Sequence, residues 1–387
     1  MNMTCAIDEN QLEQQLIAYR RQLHEHPELS SEEFETTAAI KGWLTEAQIK
    51  TVDLPLKTGT VAVIHGKKSG PRIALRTDID ALPIQEKTGL PFASKVPGKM
   101  HACGHDFHMA SILGAARLLK AREDDIEGTI KIIFQPAEEN GLGAQRVIKT
   151  GFLDDVEAFF GMHNMPNLPT GTIGIKPGAM MAGVDHFSIE ITGKGTHAAI
   201  PENGIDPVVV ASHVITALQT IVSRNISSLN NAVISVARLE AGNTWNVIPD
   251  KAVLEGTVRT FQEEVRTKIP GRMKQMVESV AHAFGAKGKL KLTHQGPPVQ
   301  NDETMSVWAA ESAKQSGLKV IRPVPSSIGE DFAHYLEKAP GVFVFMGVSG
   351  NSDLHHPDLI IDENAILPSA RFFANLAIDV LKKMKSR

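Results

Sequence analysis

Three short apolar runs, residues 72–77, 129–134 and 158–162, each end in residues that carry chemistry. The first leads into Asp78-Ile79-Asp80, the second into Gln135-Pro136-Ala137-Glu138-Glu139, the third into His163. Apolar runs of that length read as buried strands. Polar clusters just past the carboxyl ends of such strands mark an open α/β sheet, which places its ligands in the crevice beyond those ends. This pattern predicts an α/β fold and locates its working edge.

The rest of the chain supplies helices around that sheet. Leu12, Leu16, Tyr19 and Leu23 recur at helical spacing and stop before Pro27, because the residue preceding a proline is pushed out of the helical region. Further helices are expected over residues 32–47, 109–120, 303–316 and 369–385, with a strand at 342–347. From Val184 the pattern changes: Phe187, Ile189 and Ile191 alternate with Ser188, Glu190 and Thr192, as in a sheet covered on one face. Asp206-Pro207 opens a helix. Two strands, a helix over 272–284 and a strand over 287–294 follow. The order β-α-β-β-α-β is that of a ferredoxin-like unit. With 387 residues, two domains are expected. Residues 1–183 and 297–387 form a discontinuous catalytic domain, and residues 184–296 an inserted α+β domain.

A charged fraction of 22% and a net charge of −4, with both signs mixed, leave no nucleic-acid footprint. The apolar run from Val208 to Leu218 is too short to span a bilayer, so no membrane partner is expected. Two cysteines, Cys5 and Cys103, make no disulfide framework and suit the reducing cytoplasm. The first residues lack the basic start and apolar run of a signal peptide.

Cys103 and His105 flank one glycine, a soft and an imidazole donor side by side. Glu139 (in a pair with Glu138), His163 and His355 bring the donors to five. Five exceed one tetrahedral catalytic ion, which keeps a position open for water. They suit two ions sharing a donor, able to hold an attacking hydroxide and polarise a carbonyl together. Neighbours in sequence, Glu138 and Glu139 divide between ligand and base; spacing does not say which is which.

Several segments together resemble one family. They are Arg20-Arg21-Gln22-Leu23-His24-Glu25-His26-Pro27, Arg76-Thr77-Asp78-Ile79-Asp80-Ala81-Leu82-Pro83, His101-Ala102-Cys103-Gly104-His105-Asp106, Gln135-Pro136-Ala137-Glu138-Glu139, Gly193-Lys194-Gly195-Thr196-His197, Asn246-Val247-Ile248-Pro249, Gly256-Thr257-Val258-Arg259 and Gly329-Glu330-Asp331-Phe332. The family is the amidohydrolase branch of the aminoacylase and carboxypeptidase G2-type metallopeptidases, with hippurate hydrolases and auxin-conjugate hydrolases. The resemblance implies a zinc-peptidase-like catalytic domain with a mixed sheet, and an inserted lid that makes a homodimer. It implies two divalent ions per subunit, manganese or zinc foremost, with nickel or cobalt as alternatives. Cys103, His105, Glu139, His163 and His355 match ligand positions, His355 being preferred over His356. Glu138 matches the general base and His197 the oxyanion stabiliser. Asn246 and Arg259 match residues that hold the substrate carboxylate. Asp80 and Asp106 take supporting roles, orienting imidazoles.

The activity implied is hydrolysis of the amide of a small N-acyl amino acid by a water held at the metals. Two other readings stand beside it: a hydrolase with Cys103 as nucleophile and His105 as base, and a metal-binding protein without turnover.

Overall fold

In a computed structural model, which describes residues 8–386, the strands Glu127–Gln135, Lys68–Asp78, Ala158–Met165 and Gly341–Gly347 lie side by side and parallel. Thr60–His65 and Lys50–Val52 extend one edge antiparallel. Thr172–Gly174 and Lys319–Ile321 extend the other, completing an eight-stranded mixed sheet. Gly341–Gly347 is buried at every position. A strand covered on both faces needs continuous rather than alternating apolar residues, which is why these strands read as runs. Cys5 lies outside the described residues.

The helices His105–Ala121 and Ile366–Lys385 pack on each other and on this sheet, and Glu9–Glu25 packs on both helices. They meet closely at Gly114, where an added Cβ would fall 2.6 Å from Leu16 Cδ1 and 2.7 Å from Ala370 Cβ. The helix expected from residue 109 begins one turn earlier, so His105 and Asp106 occupy its first turn. Likewise His163 stands inside strand Ala158–Met165 rather than after it.

Asp106 does not orient a metal-site imidazole, as the resemblance implies. Its Oδ2 lies 3.0 Å from Arg20 Nε and 2.9 Å from His24 Nδ1, both on the first helix. His24 Nε2 in turn lies 3.2 Å from Glu86 Oε1. Burial pushes the His24 pKa down, but Asp106 and Glu86 outweigh it and raise the value to about 9. A folded-state pKa above the unfolded 6.5 means that protonated His24 stabilises the fold fully below pH 6.5 and loses this as pH climbs through 9. The melting temperature is expected to fall between pH 7 and 9.5, and to fall less in His24→Gln. Equal slopes for the two proteins in calorimetry would remove His24 from the account.

The chain folds as two compact units. The first runs to Gly178 and resumes over Gln300–Val324 and from Asp331; the second holds Ala179–Val299 and Pro325–Glu330. The boundaries thus lie at 178/179 and 299/300 rather than 183/184 and 296/297. Residues 325–330 join the second unit because Ser326 exchanges backbone hydrogen bonds with Met180 and Ala182. Nothing in a glycine-containing loop signals such pairing.

Taken by itself, the second unit has an antiparallel sheet in the order Ala232–Ala241, Lys251–Thr260, Gly183–Thr192, Lys287–Gly296. Pro207–Thr220 and Glu263–Ala283 supply its helices. Phe187, Ile189, Val214, Leu218, Leu254, Val258, Ile269 and Met273 share its core. The second helix starts at Glu263, well before the expected 272, and runs through Pro270. The buried stripe Val265, Ile269, Met273, Val277 explains this: apolar burial on both sides of the proline holds the helix across one lost hydrogen bond. The first helix continues as a π-turn, Ile221–Asn225. Pro207–Asn225 is 19 residues long with mean hydropathy 1.2, so it reaches membrane-crossing length where the shorter run did not. Val210, Val214, Leu218 and Ile221 nevertheless face this unit's core.

Candidate metal centre

The carboxyl ends of the four parallel strands carry the donors of the first unit. Lys68–Asp78 ends at Asp78 and is followed by Asp80; Glu127–Gln135 is followed by Glu138 and Glu139. Ala158–Met165 carries His163, and the loop after Gly341–Gly347 carries His355. Cys103 and His105 enter from the start of helix His105–Ala121.

Gly104 makes that entry possible. Its φ is +80°, a left-handed conformation that favours glycine, and an added Cβ would lie 2.6 Å from the Asn164 side chain. Two further residues near the donors hold left-handed backbone without being glycine: Ala137 at φ +55° and His355 at φ +64°. Such conformations concentrate where surrounding structure fixes a functional geometry.

Two of the imidazoles are set by their second nitrogen. His105 Nδ1 donates to the Asp80 carbonyl oxygen at 2.8 Å, and His163 Nδ1 to the Asn164 carbonyl oxygen at 2.8 Å. Both rings therefore turn an Nε2 lone pair inward, as ligating histidines do. Asp80 also binds the chain that carries the acidic pair: its Oδ2 accepts from Glu139 N–H at 3.0 Å and from the Ser30 hydroxyl at 2.6 Å. His163 Nε2 lies 3.3 Å and His355 Nε2 3.2 Å from Cys103 Sγ. His355 is also 3.6 Å from Glu139 Oε1, whereas His356 turns away, its Nδ1 accepting from Asp358 N–H at 3.2 Å.

The donor atoms form two groups. Cys103, His105 and His163 offer atoms within 4.8 Å of one another, and so do Cys103, Glu139 and His355. The sulfur belongs to both. Glu138 joins His105 and Glu139 in a third group of the same size. His105 Nε2 and Glu139 Oε1 are buried and lack hydrogen-bond partners. Orphaned buried donors of this kind, in a sulfur, nitrogen and oxygen set, fit a pair of divalent ions.

Charge around the centre follows from burial. Burial pushes the Cys103 thiol up, and the Glu139 carboxylate adds to this. Burial, with His108 beside it, lowers His163 to about 3, which keeps the ring neutral and able to ligate. For His105 burial works downward, but the Asp78 carboxylate, 3.7 Å from Nε2, leads the groups that outweigh it and raise the pKa, so a divalent ion taking the Nε2 lone pair would displace a proton there.

The description Peptidase family M20/M25/M40 matches residues 74–379. The chain belongs to this family. An N-acetylcysteine deacetylase of Bacillus subtilis strain 168 is 54% identical over 371 residues, 96% of this chain and 98% of that one. An N-acetyldiaminopimelate deacetylase of Pediococcus pentosaceus is 38% identical, covering 91% of this chain and 93% of that one. In fold, a dinuclear metal-binding M20 peptidase of Bacillus subtilis superposes with a TM-score of 0.89 at 49% identity, over 96% of this chain and 99% of that one. The M20 match takes in every donor named above and begins after the first helix, with Arg20, His24 and Glu33 outside it.

His197, Asn246 and Arg259 belong to the second unit. His197 pairs with Val247 across a two-residue ladder, and the Asn246 carbonyl accepts from Ala198 N–H at 3.0 Å. Arg259 alternates with buried Val258 and Thr260, on the face away from the core. Three contributors escaped the sequence reading. Asp78 stood in a quoted motif beside Asp80 without a role. His108, one helical turn from His105, donates from Nδ1 to Asp78 Oδ1 at 2.7 Å. Glu33 gave no signal at all.

Proposed function

We propose that this M20 chain hydrolyses the amide bond of N-acyl amino acids, N-acetyl amino acids first among them. Two donor groups sharing Cys103, with Glu138 beside them, carry this reading. The names of the relatives support the acyl class. Bound divalent ions, manganese or zinc foremost, would supply Lewis-acid polarisation of the acyl carbonyl and make water acidic enough to attack. Glu138 accepts the proton from that water and later hands it to the departing nitrogen, one carboxylate serving twice. His197 Nδ1 accepts from Ala199 N–H at 3.1 Å, so Nε2 keeps its hydrogen and serves as the donor to a developing oxyanion. Arg259 and Asn246 hold the substrate carboxylate, for which the planar guanidinium is suited. A cytoplasmic location keeps Cys103 reduced. Pairing of two copies through the second unit is supported by its edge strand Ala232–Ala241, which leaves Val233 and Leu239 exposed.

The cysteine-nucleophile reading loses ground on geometry. Cys103 is buried with imidazoles of His163 and His355 on its sulfur, and its thiol is pushed up rather than down. A panel of N-acetyl and N-benzoyl amino acids, assayed with metal quantified in the same preparation, is expected to show turnover that chelation abolishes and manganese or zinc restores. Turnover unchanged after complete metal removal would reinstate the thiol.

A further inference from the structure

Glu33 is completely buried. Acidic side chains are almost never fully buried unless paired, and among the described residues no cation pairs with it. Both carboxylate oxygens are nevertheless in use. Oε1 accepts from the backbone N–H of Ala137 at 2.8 Å, and Oε2 accepts from the Thr58 hydroxyl at 2.6 Å. Its carbonyl oxygen takes the Thr37 hydroxyl at 2.5 Å, and Thr37 Oγ1 accepts from Gly59 N–H at 2.8 Å. One turn of chain thus grips both the 58–59 loop and the residue before the acidic pair.

Ala137 is the residue that needs gripping. A left-handed φ of +55° is unfavourable for a residue with a Cβ, which crowds the following carbonyl oxygen. The turn it makes closes with Gly143 N–H to the Ala137 carbonyl at 3.0 Å and Gly141 N–H to the Glu138 carbonyl at 2.7 Å. Adjacent residues of a strand point to opposite sides. Here Glu138 and Glu139 instead both bring a carboxylate oxygen within 4.8 Å of a His105 nitrogen.

We infer that Glu33 is a positioning residue for the Glu138–Glu139 pair, holding Ala137 in the turn that aims both carboxylates at the metal centre. This deepens, and rests on, the reading of Glu138 as base and Glu139 as ligand. Glu33 touches neither substrate nor metal donors; it acts through the backbone of Ala137.

The test compares Glu33→Ala with Glu33→Gln, which keeps an oxygen acceptor for Ala137 N–H. Supporting groups behind metal ligands are worth about 10–100-fold in affinity or activity. Glu33→Ala is expected to lose that much kcat with little change in KM, and to weaken one of two zinc affinities in calorimetric titration. Glu33→Gln is expected to stay near the parent in both. Parental kcat and zinc affinities in Glu33→Ala, or an equal loss in both variants, would overturn the assignment. If Glu33→Ala does not fold, Thr58→Val is read on the same measurements, with parental values again overturning it. The zinc titration needs no substrate, so it decides on Glu33 even where the panel above finds no N-acyl amino acid turned over.

Discussion

Replacing Glu138 by glutamine is expected to lower kcat by about 10²–10⁴-fold, the range that a positioned proton-transfer group supplies. Glutamine keeps the shape and one acceptor oxygen but cannot take a proton at neutral pH. Glu138 shares a donor group with His105 and Glu139, yet it stands outside both groups that share Cys103. Metal content and melting temperature are therefore expected to match the parent, and KM to change little, since binding does not need the proton. Both halves of the double duty are lost together, so added weak acids should not restore the rate unless a base is supplied as well. A Glu138→Gln protein with two bound ions and parental kcat would end the assignment, and the base would have to be sought elsewhere.

How much of this was legible beforehand depends on whether a signal is local. The ends of two strands were legible, because continuous apolar runs ending in Asp78 and Gln135 reflect a parallel sheet covered on both faces, while the third runs two residues past His163. The chain order β-α-β-β-α-β of the second unit was legible in the period-two alternation from Phe187 and the helix start at Asp206-Pro207. The helix from Glu263 was misjudged because Pro270 is a strong local breaker, while the burial that overrides it is tertiary. The choice of His355 over His356 came from resemblance; geometry places it 3.2 Å from the sulfur. The supporting role that the resemblance implies for Asp106 at the metal site was not met, because a motif says nothing of side-chain direction. At the N-terminal turn of a helix, successive residues diverge, and Asp106 faces Arg20 and His24. Glu33 was invisible for a deeper reason: its partner Ala137 contributes only a backbone N–H.

Cys103→Ala is expected to have the second large effect, on metal stoichiometry. The sulfur is the one atom common to both donor groups. Its removal leaves His105 with His163 at one position and Glu139 with His355 at the other, two protein donors each, below the three that a catalytic ion ordinarily takes. Both ions should bind more than about 100-fold more weakly, beyond what loss of an outer supporting group costs, and the desalted protein should carry less than one ion per chain. His163→Ala and His355→Ala each touch a single group, so each should lose one ion and keep the other. The folded state itself should tolerate alanine, because the thiol's hydrogen-bonding contacts are to His163 and His355 of the centre, whose Nε2 atoms need partners once the ions are gone. The metal-free melting temperature is thus expected to fall modestly, while zinc raises it by less than in the parent, since a ligand stabilises only as far as it binds. Two ions retained in Cys103→Ala, with one lost in each histidine variant, would show that the sulfur is not shared and that the two positions are closed by separate donors.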